Sequence, residues 1–229
     1  QTLNIAVDYD LVIIHTSTPS FPTDARFAEQ LKERRPDIMI GMVGAKAAVD
    51  PGGTLSATEA IDFVCREEFD YTCQDVAAGK PLAGIAGLSY RLPDGTIEHN
   101  PARPMIENMD ELPFVAPVYK RDLKIQNYFI GYLMHPYVSI YTGRGCRSRC
   151  TFCLWPQTVG GHRYRTRSAQ SVIDEVKWSK ENMPEVREIM FDDDTFTDFK
   201  PRVEEIARGL GEIGLPWSCN AKANVPYNT

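Results

Sequence analysis

Apolar positions along this chain follow two periods, and the switches between them mark out the elements. Asp10–Thr16 (DLVIIHT) is a short apolar run rich in β-branched residues and reads as a buried strand. Thr18–Thr23 holds two prolines and polar residues and reads as a loop. Asp24–Arg35 takes helical spacing around Phe27 and Leu31, with Asp24 as N-cap and Pro36 as the stop. Ile38–Val43 predicts a second buried strand, with Gly41 and Gly44 marking close backbone approach. Ala57–Glu68 and Asp75–Ala78 predict helices, with Asp70–Tyr71 as a short strand between them. Gly87–Leu92 and Thr96–His99, joined by Pro93-Asp94-Gly95, predict a hairpin. Strands alternating with helices imply βαβ units and a parallel sheet.

Asn100–Met134 changes character: it carries Pro101, Pro104, Pro113 and Pro117 and shows no period, as an ordered linker would. The alternation then resumes. Tyr137–Thr142, Glu188–Phe191 and Trp217–Ala221 predict strands. Ser168–Asn182 predicts a helix capped by Ser168, with Val172, Val176 and Ser179 on one face. Arg202–Ile213 predicts another, ending at Gly214. The expected class is α/β: a sheet of βαβ units over residues 1–100, a linker over 101–135, and a strand–helix segment over 136–229 with too few units for a closed (β/α) barrel.

Composition narrows the function classes. With 43% hydrophobic and 24% charged residues, the chain is globular, neither collagen-like nor disordered. Its formal charge of −6 argues against broad binding to nucleic acid or anionic membranes. No apolar run approaches the ~18 residues of a membrane span. The start, QTLNIAVDYD, has neither a leader pattern nor an initiating Met, so a chain cut from something longer is expected.

The cysteines fall into two groups. Cys65, Cys73 and Cys219 are scattered and read as reduced, buried thiols. Cys146, Cys150 and Cys153 lie together in Gly143-Arg144-Gly145-Cys146-Arg147-Ser148-Arg149-Cys150-Thr151-Phe152-Cys153, spaced C-x3-C-x2-C after a predicted strand. Three thiolates on one loop can ligate three irons of a cubane cluster, and the fourth iron is then open to a substrate or cofactor. Glycines let the loop curl, and backbone N–H groups and nearby arginines offset the cluster's negative charge. The alternative is zinc in a Cys3His set with His162 or His135, but neither histidine stands at a usual spacing.

C-x3-C-x-Phe-C after a strand resembles the radical S-adenosylmethionine (SAM) superfamily, which implies that residues 136–229 are the first half of a radical SAM (β/α) partial barrel. The resemblance implies that Cys146, Cys150 and Cys153 hold a [4Fe-4S] cluster and that SAM chelates the open iron through its amino and carboxylate groups. Reductive cleavage of SAM then yields a 5′-deoxyadenosyl radical. The same resemblance implies that Phe152 is the aromatic position that packs near the adenine. Phe191-Asp192-Asp193-Asp194-Thr195-Phe196 stands where the family carries a Gly-Gly-Glu-type motif, so Asp193 and Asp194 become candidates to pair with the SAM ammonium. The other reading of these acids is an acidic N-cap for the next helix. Asn220 and Lys222, in Ser218-Cys219-Asn220-Ala221-Lys222, end the third strand; related enzymes often have Arg near Lys222.

The N-terminal half resembles the later part of a cobalamin-binding Rossmann-like domain, which makes cobalamin a candidate cofactor. The Asp-x-His-x-x-Gly cobalt-ligating motif is absent, and His15, inside an apolar strand, is not assigned as a cobalt ligand. The wording of Cys146–Arg167, with FDDDTFTD and WSCNAKANV, is similar to the hopanoid-biosynthesis-associated radical SAM proteins. That likeness implies a triterpenoid whose attached sugar is contracted to a cyclitol, with a reductant such as flavodoxin or ferredoxin as partner. The missing leader pattern and the oxygen-sensitive motif lead to the expectation of a cytoplasmic location, and a lipid substrate to one near the inner membrane face. Two other functions compete. One is B12-dependent radical methylation or tRNA modification. Arg144, Arg147, Arg149, Arg163, Arg165 and Arg167 form a basic stretch that reads either as charge balance for the cluster or as a site for an anion: the SAM carboxylate, a substrate phosphate or RNA. Against RNA stand the overall charge and the lack of an RNA-binding module. A zinc-stabilised, non-catalytic binding module is the third reading.

Overall fold

A computed structural model describes residues 2–223 and Val225, and the chain divides into two compact units. The first takes residues up to Ile106 together with Cys150–Gly160; the second takes Glu107–Arg149 and the residues from Gly161 onward.

The first unit begins α1 (Thr2–Ala6), β1 (Leu11–His15), α2 (Phe21–Arg34), β2 (Met39–Val43), α3 (Ala45–Val49) and α4 (Pro51–Ser56). It continues β3 (Phe63–Cys65), α5 (Asp70–Ala77), β4 (Leu88–Arg91) and β5 (Ile97–His99). The sheet order is β1-β2-β3-β4-β5, parallel through β3 and then antiparallel. The period of two sorts the side chains. Val12, Ile14, Ile40, Met42 and Val64 join the core that holds Leu31 and Leu55. Leu11, Ile13, Val43, Phe63 and Cys65 join the core on the other face. Gly41 falls on this second face, and a Cβ there would stand 2.2 Å from the Phe63 ring, which is the close approach its sequence position suggested.

Three local expectations are corrected. Helix α2 starts at Phe21, three residues before Asp24, because Pro22 fits the first turn and Ser20 takes the cap position. The Asp24 carboxylate accepts the Thr16 hydroxyl at 2.8 Å instead of capping the helix. Ala57–Glu68 is not a helix: Phe63–Cys65 is the wholly buried strand β3. Asp62, just before it, accepts the Ile40 N–H at 2.7 Å and pairs with Lys32 at 2.9 Å, which fixes the chain alongside β2. Asp70–Tyr71 is not a strand but the first turn of α5.

In the second unit come α6 (Ala116–Asp122), β6 (Tyr137–Ile140) and β7 (Gly143–Arg144). A short helix α7 (Trp155–Thr158) follows in the segment counted with the first unit, where it lies against α3. Then come β8 (Arg165–Thr166), α8 (Ala169–Asn182), β9 (Glu188–Phe191), α9 (Lys200–Ile213) and β10 (Trp217–Cys219). Strands β6, β9 and β10 form a parallel sheet in the order β10-β9-β6, and the described strands do not close a barrel. Ser168 caps α8 as expected, its hydroxyl accepting the Ser171 N–H at 3.2 Å. Gly214 ends α9 in the left-handed region at φ 69°. Val172 and Val176 of α8, Ile206 and Leu210 of α9, and Val138, Ile140 and Ile189 of the sheet make one core. Strands β7 and β8, two residues each, pair antiparallel and were not foreseen; they tie together the two ends of the loop that carries the cysteines.

Candidate functional site

The acidic run leaves the sheet as an arch pinned by aromatics. Phe191 and Phe196 stack with ring centroids 4.9 Å apart, and both rings lie against Trp217. Between them the acids point in different directions. The Asp192 N–H still follows the sheet, donating to the Ile140 carbonyl at 3.0 Å. Asp193 turns inward and is fully buried. Its Oδ1 accepts the Thr142 N–H at 2.6 Å, and its Oδ2 accepts the Thr142 hydroxyl at 2.6 Å and the Tyr164 hydroxyl at 2.7 Å. The Thr142 carbonyl in turn accepts the Arg167 N–H at 2.8 Å and Arg202 Nη2 at 2.9 Å. Burial pushes the Asp193 carboxyl above its ordinary value, against the pull of the Thr142 and Tyr164 donors and of the Arg202 guanidinium. Burial beside this carboxylate pushes the Tyr164 phenol up as well.

Asp194 is exposed. Crowding by protein atoms raises its carboxyl first, then the charges of Asp193 and Asp192, while a Gly145 N–H pulls the other way. A carboxylate in that state gains from a cation. The Asn220 side-chain amide donates to Asp192 Oδ1 at 3.0 Å, and the Asn220 backbone carbonyl accepts the Phe196 N–H at 3.2 Å. Asn220 is thereby fixed at the end of β10. Lys222 Nζ lies 2.9 Å from Asp198 Oδ1. Burial opposes the Lys222 charge, but the Asp198 carboxylate outweighs it and, with neighbouring Cys146 adding a smaller pull, holds the ammonium above its ordinary value. The second unit thus brings Asp194, Asn220 and Lys222 to the carboxyl ends of β9 and β10, and takes Asp193 out of solvent.

The division between the units runs through the cysteine motif, with Cys146 in the second and Cys150 and Cys153 in the segment counted with the first. Cys146 is buried, and its N–H donates to the Gly161 carbonyl at 3.1 Å. Before it, Gly145 takes φ 91°, a value that favours glycine. A Cβ on Gly143 would stand 2.7 Å from the Tyr164 ring and 2.8 Å from the Arg165 carbonyl. Cys150 is exposed and Cys153 half-buried, and the Cys153 N–H donates to the Cys150 carbonyl at 3.1 Å. Phe152 is 89% exposed, so its apolar face is free to pack on a planar ligand. All three are free thiols.

This donor set suits an iron–sulfur cluster, whose cysteine ligands each bind a separate iron. Among the described residues no group of three or more His, Cys, Asp or Glu side chains is arranged to hold a metal ion. His135 packs edge-on against Phe129, with centroids 5.7 Å apart. Thr142, Tyr164 and Arg202 escaped sequence reasoning as parts of the site: each makes its contribution through tertiary hydrogen bonds that no spacing announces.

No family model matches the chain. An uncharacterized methyltransferase of Pyrococcus horikoshii is 30% identical over 223 residues, covering 95% of this chain and 47% of that protein. The anaerobic magnesium-protoporphyrin IX monomethyl ester cyclase of a Synechocystis species is 29% identical over 178 residues, covering 73% and 33%. Among solved structures, the cobalamin-dependent SAM radical enzyme OxsB, with aqua-cobalamin and SAM bound, superposes with a TM-score of 0.69 at 18% identity, over 93% of this chain and 30% of that one. The fold is that of the cobalamin-dependent radical SAM enzymes. The radical SAM methyltransferase TsrM of Kitasatospora setae, with cobalamin and a [4Fe-4S] cluster bound, superposes with a TM-score of 0.60 at 18% identity, over 92% and 42%. The chain spans about half or less of the length of these radical SAM structures and curated relatives. The relatives are enzymes by name, methyltransferases among them. No described helix is long and apolar enough to cross a membrane.

Proposed function

We propose that this chain carries the cluster- and SAM-binding part of a cobalamin-type radical SAM enzyme. The observation that carries the reading is the C-x3-C-x2-C loop emerging from β6 of a radical SAM fold. A bound [4Fe-4S] cluster with SAM would supply one-electron reductive cleavage and a 5′-deoxyadenosyl radical. Cys146, Cys150 and Cys153 hold the irons. Asp194 accepts hydrogen bonds from the SAM ammonium, which relieves its crowded charge. Asn220 and Lys222 present donors at the end of β10, and Phe152 packs on the adenine. Leu154 and Trp155, both about half exposed, stand beside the motif and are placed to exclude water once a ligand is bound. The first unit, with its parallel strands, is the candidate cobalamin carrier, and flavodoxin or ferredoxin is the class of reductant.

Two substrate readings follow. The sequence motifs favour radical contraction of a sugar on a hopanoid side chain. The methyltransferase names of the relatives favour B12-dependent methyl transfer. Anaerobic reconstitution with iron and sulfide tests the shared core. Electron paramagnetic resonance (EPR) of the reduced protein should show a [4Fe-4S] signal that shifts on adding SAM and is lost in Cys146→Ala. One tightly bound zinc in place of iron and sulfide would overturn the reading. Deuterium-labelled methyl from SAM appearing in product would choose methyl transfer over contraction.

A further inference from the structure

We propose that Asp193 is a positioning residue that staples the base of the cysteine loop and makes no contact with cofactor. The inference rests on the radical SAM reading above and redistributes the work of the three acids within it. Both Asp193 oxygens are engaged, by three donors at 2.6–2.7 Å, in a fully buried carboxylate. With the carboxylate wholly out of solvent, a SAM ammonium could reach it only if the groups that cover it moved aside. The donors come from both ends of the loop: Thr142 directly precedes β7, and Tyr164 directly precedes β8.

Pairing of β7 with β8 by itself is two residues long, too short to hold a loop of some twenty residues shut. The carboxylate adds a bridge from β9 to both ends. Tyr164 then lies flat enough against Gly143 that a Cβ there would collide with its ring. From behind, Arg202 of α9 grips the Thr142 carbonyl at 2.9 Å and the Arg167 carbonyl at 2.7 Å. Four residues after Thr142 comes Cys146, whose N–H is tied across the loop to Gly161. The position of the Cys146 thiolate therefore depends on a carboxylate it never touches.

The test compares Asp193→Asn, the milder Tyr164→Phe, and Asp194→Asn. Two readouts are used: iron retained against a chelator after reconstitution, and the EPR shift on adding SAM. Expected for Asp193→Asn and Tyr164→Phe is cluster loss roughly tenfold faster, the factor for one such hydrogen bond, with the SAM shift intact on every cluster that remains. For Asp194→Asn, which keeps an oxygen to accept the Gly145 N–H but loses the charge, the pattern should invert, with near-normal cluster retention and a weakened SAM shift. Wild-type cluster retention with a lost SAM shift in Asp193→Asn would overturn the proposal and make Asp193 a cofactor ligand. A third readout needs no metal: amide hydrogen exchange of Thr142–Cys146 in cluster-free protein should be about tenfold faster in Tyr164→Phe. Unchanged exchange there would overturn the staple even if the cluster reading holds. A wild-type chain that takes no cluster would overturn the radical SAM reading while leaving the exchange result to decide the staple.

Discussion

Glu175 sits in the middle of α8, fully buried, and it is the residue whose change the second unit should tolerate least. Its Oε1 accepts the N–H groups of Val115 and Ala116 at 2.7 and 3.1 Å, at the start of α6. Its Oε2 pairs with Arg167, whose side chain is 6% exposed. Glu175→Gln preserves volume and keeps an oxygen for the two amides, but it leaves the Arg167 charge buried without a counter-charge. Breaking one side of a buried pair costs about 3–5 kcal/mol. Glu175→Leu also strands two buried N–H groups, each worth about 1–3 kcal/mol and not fully additive, so it should cost more. With a urea dependence of about 1.5 kcal/mol per molar, the Gln variant should lower the midpoint by about 2–3 M. Fluorescence reads the right unit, because Trp178 and Trp217 both pack on its core. A Gln variant within about 0.5 M of wild type would refute the reasoning, since the pair would then be worth no more than a surface one. Pairing Glu175→Leu with Arg167→Met should recover much of the loss of the single leucine variant, because no charge is left stranded.

Other expectations follow from the same contacts. Gly143→Ala should cost about 1–3 kcal/mol and lower iron uptake, as its Cβ meets both the Tyr164 ring and a backbone oxygen; melting and iron analysis of the variant check this. Gly41→Ala should destabilise the first unit through the Phe63 ring, and Phe63→Leu should partly rescue it in a thermal melt. Asp194→Asn should stabilise the folded chain at neutral pH. The folded carboxyl is raised, so the stability it lends is present below its unfolded pKa and lost as pH rises through the folded one; a melting series should show wild type and variant converging in acid. Cys73 should alkylate well before Cys65. Their sulfurs lie 3.7 Å apart, and that contact, with burial, pushes the Cys65 thiol up while the same contact lowers Cys73; peptide mass mapping after brief iodoacetamide treatment reads the order.

Where side-chain pattern and local chemistry agreed, the sequence was readable. The runs at β1, β2, β6 and β9, the Ser168 cap and the Gly214 stop each carry their own local signal. Reading failed where tertiary partners decide. Ala57–Glu68 is full of helix formers, yet Phe63-Val64-Cys65 is claimed by the sheet once Asp62 is tied to Ile40 and Lys32. Helix α7, four residues long, and the β7–β8 ladder, two residues a side, are too short for any period to register. At the site, the cysteine spacing and the acids were visible as letters. Which acid faces inward was not, because that depends on Thr142 and Tyr164 reaching it from 51 and 29 residues away.

That sorting of the acids makes one short run do three jobs. Asp192 is tied sideways to the Asn220 amide, Asp193 is locked into the loop's foundation through Thr142 and Tyr164, and Asp194 alone stands exposed beyond the strand end. Three chemically identical side chains are thus told apart by backbone direction alone, and the same exchange to asparagine reads out as a different loss at each position.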